Sequence, residues 1–122
     1  MLRTILIDDE PHNRDTLWKL LARHCPQVSV IGEASGVAEG IKTIMKLNPD
    51  LVFLDINLND GSGTDILRSL ERIDFRIIFI SAEGINAMPP LNNRTLEFLA
   101  KPINPKELIA VVTNAAYYML PH

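Results

Sequence analysis

The stretch DLVFLD, residues 50 to 55, contains four consecutive apolar residues with no alternation between apolar and polar positions. Such a run is typical of a strand that is buried on both faces, as in a parallel sheet covered by helices on two sides. Asn48 and Pro49 come just before it and interrupt the preceding segment. The strand ends in a carboxylate, Asp55.

Four more apolar runs resemble this one, and segments with the apolar spacing of helices separate or follow them. The runs are RTILID at 3 to 8, VSVIGEA at 28 to 34, RIIFIS at 76 to 81 and LEFLA at 96 to 100. The predicted inner helical positions are Leu17, Leu20, Leu21 and His24; Val37, Ile41, Ile44 and Met45; Ile66, Leu67, Leu70 and Ile73; and Leu108, Val112, Ala115 and Met119. Asn104 is the predicted N-cap of the last helix, with Pro105 at its first position. Five βα units predict a single doubly wound α/β domain over residues 1 to 122.

Composition limits the function classes. The chain has 122 residues, 47% of them hydrophobic, and a formal net charge of -3, so it has no general attraction for nucleic acid or for anionic membranes. Cys25 is its one cysteine, which excludes an internal disulfide. The sequence shows neither a signal peptide pattern nor a long apolar span, and we expect a cytoplasmic protein.

Polar residues stand where the predicted strands end. Asp8, Asp9 and Glu10 follow the first strand, Asp55 ends the third, Ser81 ends the fourth, and Lys101 follows the fifth. Ligands of doubly wound sheets bind beyond these carboxyl ends. The sequence therefore predicts that three of these four carboxylates, a hydroxyl and an ammonium group converge there.

Each of these residues also has an ordinary structural interpretation. Asp8 or Asp9 would serve as a cap for the first helix, and Asp55 would close a turn. A serine at a strand end is common, and a lysine after a strand is usually a solvated charge.

The set as a whole indicates a metal site. Crowded carboxylates repel one another unless a cation lies among them. Mg²⁺ prefers oxygen ligands, whereas zinc favours histidine and thiolate ligands that these strand ends lack. An aspartate beside Mg²⁺ and facing a lysine is suited to accept a phosphoryl group, because both cations neutralise charge on the transferring oxygens.

Four motifs, in this order, resemble the receiver domain of two-component response regulators over nearly the whole chain. They are the acidic pair in LIDDE at 6 to 10, the phosphoacceptor loop FLDINLNDGSG at 53 to 63, the Ser/Thr position in FISAE at 79 to 83, and the Lys-Pro element in FLAKPI at 98 to 103. The resemblance implies a flavodoxin-like (βα)5 sheet with strand order 2-1-3-4-5. The residues of these motifs are most similar to those in the receiver domains of LytTR-type regulators, which join a receiver to a DNA-binding domain.

The resemblance also implies a role for each matching residue. Asp55 would be the phosphoacceptor, and Asp8, Asp9 and Asp55 would hold Mg²⁺ together with the backbone carbonyl of Asn57. Ser81 and Lys101 would each bind a phosphoryl oxygen. The bond between Lys101 and Pro102 is expected to be cis. The side chains of Asn57 and Glu83 would tune the lifetime of the phosphate.

The implied function is a switch, and its only catalysis would be its own phosphorylation and dephosphorylation. Ser81 would move towards the phosphate, and Phe98 would rotate into the space that it leaves. Taken alone, Phe98 is equally well explained as a core aromatic residue. A sensor histidine kinase would be the donor, because the chain has no P-loop sequence for binding ATP. Output would pass through the fourth helix, fifth strand and fifth helix, to a homodimer or to a DNA-binding domain beyond this chain.

Two other functions remain open. A phosphate-independent receiver-like domain would act only as a protein-binding module, although it would be expected to lack a site residue. A phosphohydrolase of the haloacid-dehalogenase kind also forms an aspartyl phosphate, but its D-x-D motif follows the first strand, where this chain has the adjacent pair Asp8 and Asp9.

Adjacent prolines interrupt the fourth predicted helix. Pro89 and Pro90 cannot donate backbone hydrogen bonds, and the residue before each proline is directed away from helical geometry. We expect an irregular loop from about Gly84 to Pro89, followed by at most a short helix from Pro90.

Overall fold

A computed structural model of the chain describes residues 1–83 and 96–119. In chain order, its elements are β1 Leu2–Ile7, α1 Pro11–His24, β2 Val28–Ala34, α2 Val37–Leu47, β3 Leu51–Asp55, β4 Asn57–Leu58, β5 Gly61–Ser62, α3 Gly63–Ser69, β6 Arg76–Ser81, β7 Leu96–Ala100 and α4 Pro105–Met119. None of the helices in these ranges has the length and apolar character required to span a bilayer. The loop and short helix predicted between Gly84 and Arg94 lie outside the described residues.

The five long strands form one sheet in the order β2-β1-β3-β6-β7, and every neighbouring pair is parallel. Because β6 and β7 are the fourth and fifth strands predicted from the sequence, the predicted order 2-1-3-4-5 and the flavodoxin-like α/β class are confirmed. A small antiparallel hairpin of β4 and β5 follows β3, and the apolar pattern does not predict it.

The core lies on both faces of the sheet. Side chains of β3 alternate between the faces: Leu51 and Phe53 pack towards α1 and α4, while Val52 and Leu54 pack towards α2 and α3. All four side chains are fully buried. An apolar run without alternation is thus what a central strand between two helical layers requires.

The last helix begins as predicted. α4 starts at Pro105, and the backbone N–H of Lys106 donates a hydrogen bond of 2.8 Å to the side-chain oxygen of Asn104. The predicted inner residues Leu108, Val112 and Ala115 are buried, while the side chain of Met119 lies outside the described part.

Two predictions about the helices are wrong. Met45 is 67% exposed, because it follows the buried Ile44 by a single residue and so lies about 100° further round the helix. α3 ends at Ser69, and the chain is extended at Leu70. Leu70 and Ile73 still pack against the core, from chain beyond the helix, so their apolar spacing resembled further helical turns.

Candidate functional site

Three carboxylates meet at the end of the sheet where its strands finish, called here the carboxyl end. Asp8 and Asp9 follow β1, and Asp55 is the last residue of β3. These two strands are hydrogen-bonded neighbours, so their carboxyl ends are adjacent. One carboxylate oxygen from each residue lies within 4.8 Å of the other two. The predicted convergence of the acidic residues is therefore present.

Lys101 lies between two of these carboxylates. Its Nζ is 3.0 Å from Asp8 Oδ2 and 2.7 Å from Asp55 Oδ2. The backbone holds it there, because the Lys101 N–H donates to the carbonyl of Ser81 at 3.0 Å. The peptide bond between Lys101 and Pro102 is cis, as the family resemblance implied. Lys101 is thus a paired, partly buried charge and not a solvated one.

The loop after β3 is built closely around Asp55. Its Oδ1 accepts a hydrogen bond of 3.0 Å from the Asn57 N–H, so Asp55 does close a turn. The Gly63 N–H donates to the carbonyl of Ile56 at 2.8 Å, which holds the start of α3 against this loop. A Cβ on Gly63 would lie 2.6 Å from the carbonyl oxygen of Asp55. Only glycine fits that approach without a shift of backbone.

Asp8 closes a similar turn at the start of α1. Its Oδ1 accepts a hydrogen bond of 2.9 Å from the Glu10 N–H, while Oδ2 faces Lys101. The N-cap position of α1 is Glu10, whose side chain makes no capping bond. Asp8 therefore combines the ordinary turn-closing role with a place in the acidic cluster.

The remaining predicted site residues lie around this cluster. Ser81 is fully buried, and its Oγ accepts a hydrogen bond of 3.0 Å from the Glu83 N–H. The side chains of Asn57 and Glu83 meet at 3.3 Å, although 26 positions separate them in the sequence. Phe98 lies on β7 opposite Phe79 of β6 and packs, partly buried, against the core.

The electrostatics favour a cation among the carboxylates. Burial raises the pKa of Asp55 above its ordinary value of 3.8, and the hydrogen bonds from Lys101 and Asn57 offset this only in part. For Lys101, burial acts to lower the pKa, but its hydrogen bonds to Asp55 and Asp8 outweigh burial and raise it above 10.5. Lys101 therefore stays protonated at neutral pH, and one ammonium group serves two carboxylates.

These residues fit Mg²⁺ by the chemistry of their donors. The three closely spaced groups are hard carboxylate oxygens, and the cluster includes no histidine or cysteine. Mg²⁺ is commonly held by one or two carboxylates, with water and phosphate oxygens completing its shell. Asp8, Asp9 and Asp55 would supply the side-chain ligands, and Asn57 would add its carbonyl oxygen.

Two residues near the site were not predicted from the sequence, Arg14 and Asp60. Arg14 donates a hydrogen bond to the carbonyl of Asp8, and Asp60 accepts bonds from the N–H groups of Val37 and Ala38 at the start of α2. One signal points to Arg14: a basic residue near the N-terminus of a helix opposes the helix dipole. Asp60 has no comparable signal, because its partners are more than 20 positions away.

Comparison with known proteins agrees with this architecture. Residues 4–113 match the family model of the response regulator receiver domain. An uncharacterized response regulatory protein of Vibrio cholerae is 37% identical over 92% of this chain and 47% of its own length. The sensory transduction protein LytT of Enterococcus faecalis is 32% identical over 97% of this chain and 49% of its own. The chain thus spans about half the length of these relatives.

Solved structures give the same result. The response regulator domain of Thermotoga maritima CheB is 25% identical, with a TM-score of 0.80 over 99% of both chains. The response regulator PhyR of Brucella abortus is 27% identical, with a TM-score of 0.79 over 96% of this chain and 48% of its own. With a family model that covers most of its length, a strand order to match and an acidic cluster facing Lys101, this chain belongs to the response regulator receiver domains.

Proposed function

We propose that this domain is a phosphorylation-dependent switch in the cytoplasm, with Asp55 as its phosphoacceptor and Mg²⁺ as its cofactor. The observation that carries the proposal is the position of the Asp55 carboxylate, 2.7 Å from Lys101 and beside Asp8 and Asp9. A structural ion pair needs one acid and one base. Three clustered acids, of which two pair with one lysine, form a site for additional positive charge and for phosphate oxygens.

The donor is proposed to be the phosphohistidine of a sensor kinase. A carboxylate oxygen of Asp55 forms a new P–O bond, the P–N bond to the histidine breaks, and the imidazole nitrogen keeps the electron pair. Bound Mg²⁺ would supply charge neutralisation for the phosphoryl oxygens. Lys101, which pairs with Asp55 before phosphorylation, would then pair with one of the phosphoryl oxygens. The Ser81 hydroxyl would donate a hydrogen bond to another.

Ser81 and Phe98 would link the site to the output surface. Ser81 lies at the end of β6, and Phe98 lies on the neighbouring strand β7. Movement of Ser81 towards the phosphate would open space that Phe98 can fill. We propose that the signal leaves through β7, α4 and the segment between β6 and β7, to a homodimer or to a DNA-binding effector domain, and so to transcription. LytT-type relatives that extend well beyond the matched region support this proposal.

Asn57 and Glu83 are proposed to set the lifetime of the acyl phosphate. Their side chains are both exposed and in contact at 3.3 Å beside Asp55. A water molecule that attacks the phosphorus atom would have to pass this pair. Substitutions there should alter the rate of dephosphorylation more than the rate of phosphorylation.

The proposal is tested by phosphorylation with a small donor. Wild type, Asp55→Asn and Asp50→Asn are incubated with acetyl phosphate and Mg²⁺, and the intact mass of each protein is measured. Wild type and Asp50→Asn should gain one phosphoryl group, and Asp55→Asn should gain none. Asp50 is a matched control because it lies at the opposite end of β3.

Other results would select the other functions. A wild type that gains no phosphoryl group under these conditions refutes the switch and leaves the phosphate-independent binding module. Continuous release of phosphate from unrelated phosphomonoesters, lost in Asp55→Asn, would instead favour the phosphohydrolase.

A further inference from the structure

Arg14 makes two bonds that join three elements beside the acidic cluster. Its Nη1 donates to the backbone carbonyl of Asp8 at 2.6 Å, and its Nε donates to Glu33 Oε1 at 3.1 Å. Arg14 lies in the first turn of α1, and helical side chains lean towards the helix N-terminus, so the guanidinium reaches back to the end of β1. The side chain is 17% exposed, which is low for an arginine.

The bond from Arg14 holds the carbonyl of the peptide group between Asp8 and Asp9. The Asp8 N–H donates to the carbonyl of Ala34 at 3.1 Å, and its own carbonyl is held by Arg14. Because its N–H and its carbonyl are both held, the backbone of Asp8 directs the Asp9 carboxylate that follows. Within the described ranges, no hydrogen bond holds that carboxylate itself. Its direction therefore depends on the backbone that Arg14 holds.

We propose that Arg14 is a positioning residue for the acidic cluster: it orients Asp8 and Asp9 for the bound cation without touching that cation. This inference rests on the proposed metal-dependent function. Glu33 completes the arrangement, because its carboxylate neutralises the guanidinium and orients it from the side of β2. The fork geometry of arginine allows one side chain to serve both partners, which a lysine cannot do as well.

Charge and positioning predict opposite results for removal of Arg14. If the guanidinium acted only as a nearby positive charge, its loss would strengthen Mg²⁺ binding by removing repulsion. If it orients the ligands, its loss should weaken binding about tenfold, the lower end of the cost of removing an outer-shell partner. The sign of the change thus separates the two explanations.

Arg3 provides a matched control at the opposite end of the same strand. Its guanidinium also bonds backbone carbonyls, those of Asn48 at 2.6 Å and Leu47 at 2.7 Å. The chemistry of the contact is the same, but the carbonyls belong to the end of α2 and lie far from the acidic cluster in the fold. Loss of Arg3 should therefore lower stability without changing the metal affinity.

The experiment compares wild type with Arg14→Ala, Arg14→Lys, Glu33→Ala and Arg3→Ala. Mg²⁺ affinity is measured by calorimetric titration, and urea unfolding confirms that each variant is folded. Both Arg14 variants should bind Mg²⁺ about tenfold more weakly than wild type, and Glu33→Ala should bind with intermediate affinity. Arg3→Ala should bind like wild type.

Hydrogen exchange gives a readout without metal. The Glu10 N–H, which donates to Asp8 Oδ1, should exchange faster in the Arg14 variants relative to the N–H of Phe53 in the core. Arg3→Ala should leave that ratio unchanged. General destabilisation would raise both exchange rates together, so the ratio reports the Asp8 turn alone.

Each result has a defined meaning. Mg²⁺ affinity in folded Arg14 variants that equals or exceeds that of wild type overturns the positioning role. If Arg14→Ala does not fold, Arg14→Lys, which keeps the positive charge, decides by the same criterion. Lack of Mg²⁺ binding by wild type would refute the proposed function instead, and the exchange ratio would then still decide whether Arg14 holds the Asp8 turn.

Discussion

The two ends of the central sheet use similar charged residues in different ways. At the carboxyl end, Asp8, Asp9 and Asp55 lie close to one another, and Lys101 pairs with Asp8 and Asp55. At the opposite end, where the strands begin, Arg3 donates to the backbone carbonyls of Leu47 and Asn48. Side-chain charges meet one another at the first end, whereas backbone groups satisfy them at the second.

Asp50 shows the same contrast with Asp55, although Asp50 directly precedes β3 and Asp55 is the last residue of the same strand. Asp50 Oδ2 accepts from the Arg3 N–H at 2.8 Å, and its backbone N–H donates to the carbonyl of Arg3 at 2.7 Å. These bonds join the starts of two strands and stabilise the sheet. Within the described parts of the chain, Asp55 has a backbone hydrogen bond to only one carboxylate oxygen, and its other oxygen faces Lys101. A charge held by a movable side chain can exchange its partner, so the carboxyl end is suited to chemistry.

The largest expected effect concerns the cation at the carboxyl end. Lys101→Ala should slow phosphorylation of Asp55 by acetyl phosphate about a hundredfold, because it removes one preorganised donor to the developing charge. The initial rate is followed by intact mass at saturating Mg²⁺. Arg3→Ala, which removes a cation from the other end, should keep the wild-type rate. Equal rates in wild type and Lys101→Ala would show that Lys101 does not assist phosphorylation, and the two ends of the sheet would then not differ in this way.

The close backbone approach at the carboxyl end should be costly to disturb. Gly63→Ala should lower the free energy of unfolding by about 2 kcal/mol, because its Cβ meets the Asp55 carbonyl and the backbone has to move. Gly32→Ala is the control, since its Cβ meets the ends of the Leu47 and Thr43 side chains, which can shift. Urea unfolding measures both. A larger loss for Gly32→Ala would contradict the expectation.

Substitution of Arg3 tests the end of the sheet where the strands begin. Arg3→Ala should lower the free energy of unfolding by about 1 kcal/mol, because two carbonyls at the end of α2 lose a charged donor that is exposed to solvent. Phosphorylation should not change. Chemical unfolding and the phosphorylation assay on the same sample separate the two effects. A slower rate without loss of stability would show that the two ends are coupled.

The pH dependence of stability should distinguish Asp55 from ordinary surface acids. Because burial raises its folded pKa above 3.8, the folded state binds a proton more strongly than the unfolded state. Its favourable contribution is therefore complete below pH 3.8 and is lost as pH rises through the folded pKa. Without metal, Asp55→Asn should gain stability relative to wild type from about pH 4 to about pH 7. Urea unfolding across this range checks the trend, and Mg²⁺ should stabilise wild type more than the variant.

Substitution of Asp60 is expected to have the smallest effect. This residue lies at the carboxyl end, yet its role is structural, like that of the charged residues at the opposite end. It lies in the loop at the carboxyl end, but its two oxygens accept from Val37 at 2.7 Å and Ala38 at 3.2 Å, as a cap for α2. These bonds lower its pKa below 3.8, so its contribution to stability is present above that pH and is lost as pH falls through the folded pKa. Asp60→Ala should destabilise slightly at neutral pH, and Asp60→Asn less, because one acceptor oxygen remains. Thermal unfolding at pH 7 and at low pH measures this, and an equal difference at both would contradict the capping role.

Much of the fold follows from local sequence pattern. Apolar runs without alternation predicted the five long strands, and Asn104 with Pro105 predicted the start of α4. The pattern failed where one set of apolar positions suits two geometries: Leu70 and Ile73 have helical spacing, but they reach the core from chain beyond α3. A two-residue strand such as Asn57–Leu58 is too short to show any periodicity.

The candidate site divides in a similar way. Its acidic and basic members were predictable, because the parallel topology brings every strand end to one side of the sheet. The bonds of Arg14 to the Asp8 carbonyl and of Asp60 to α2 were not, because they join side chains to backbone groups, which every residue has and which residue type therefore does not reveal. The contact between Asn57 and Glu83 was expected only as two flanking side chains, and the fold supplies the hydrogen bond between them.

By itself, the sequence determined the fold class and the residues that meet at the carboxyl end, because hydrophobic burial and strand-end chemistry follow from residue type and spacing. The order of the strands was implied by the resemblance of its motifs to receiver domains. Only the tertiary structure decided how those residues are held. It set Lys101 between two carboxylates, brought the start of α3 against Asp55 through Gly63, and directed Arg14 onto Asp8. Such contacts depend on distances between elements that are far apart in the chain, and these distances exist only once both faces of the sheet have packed.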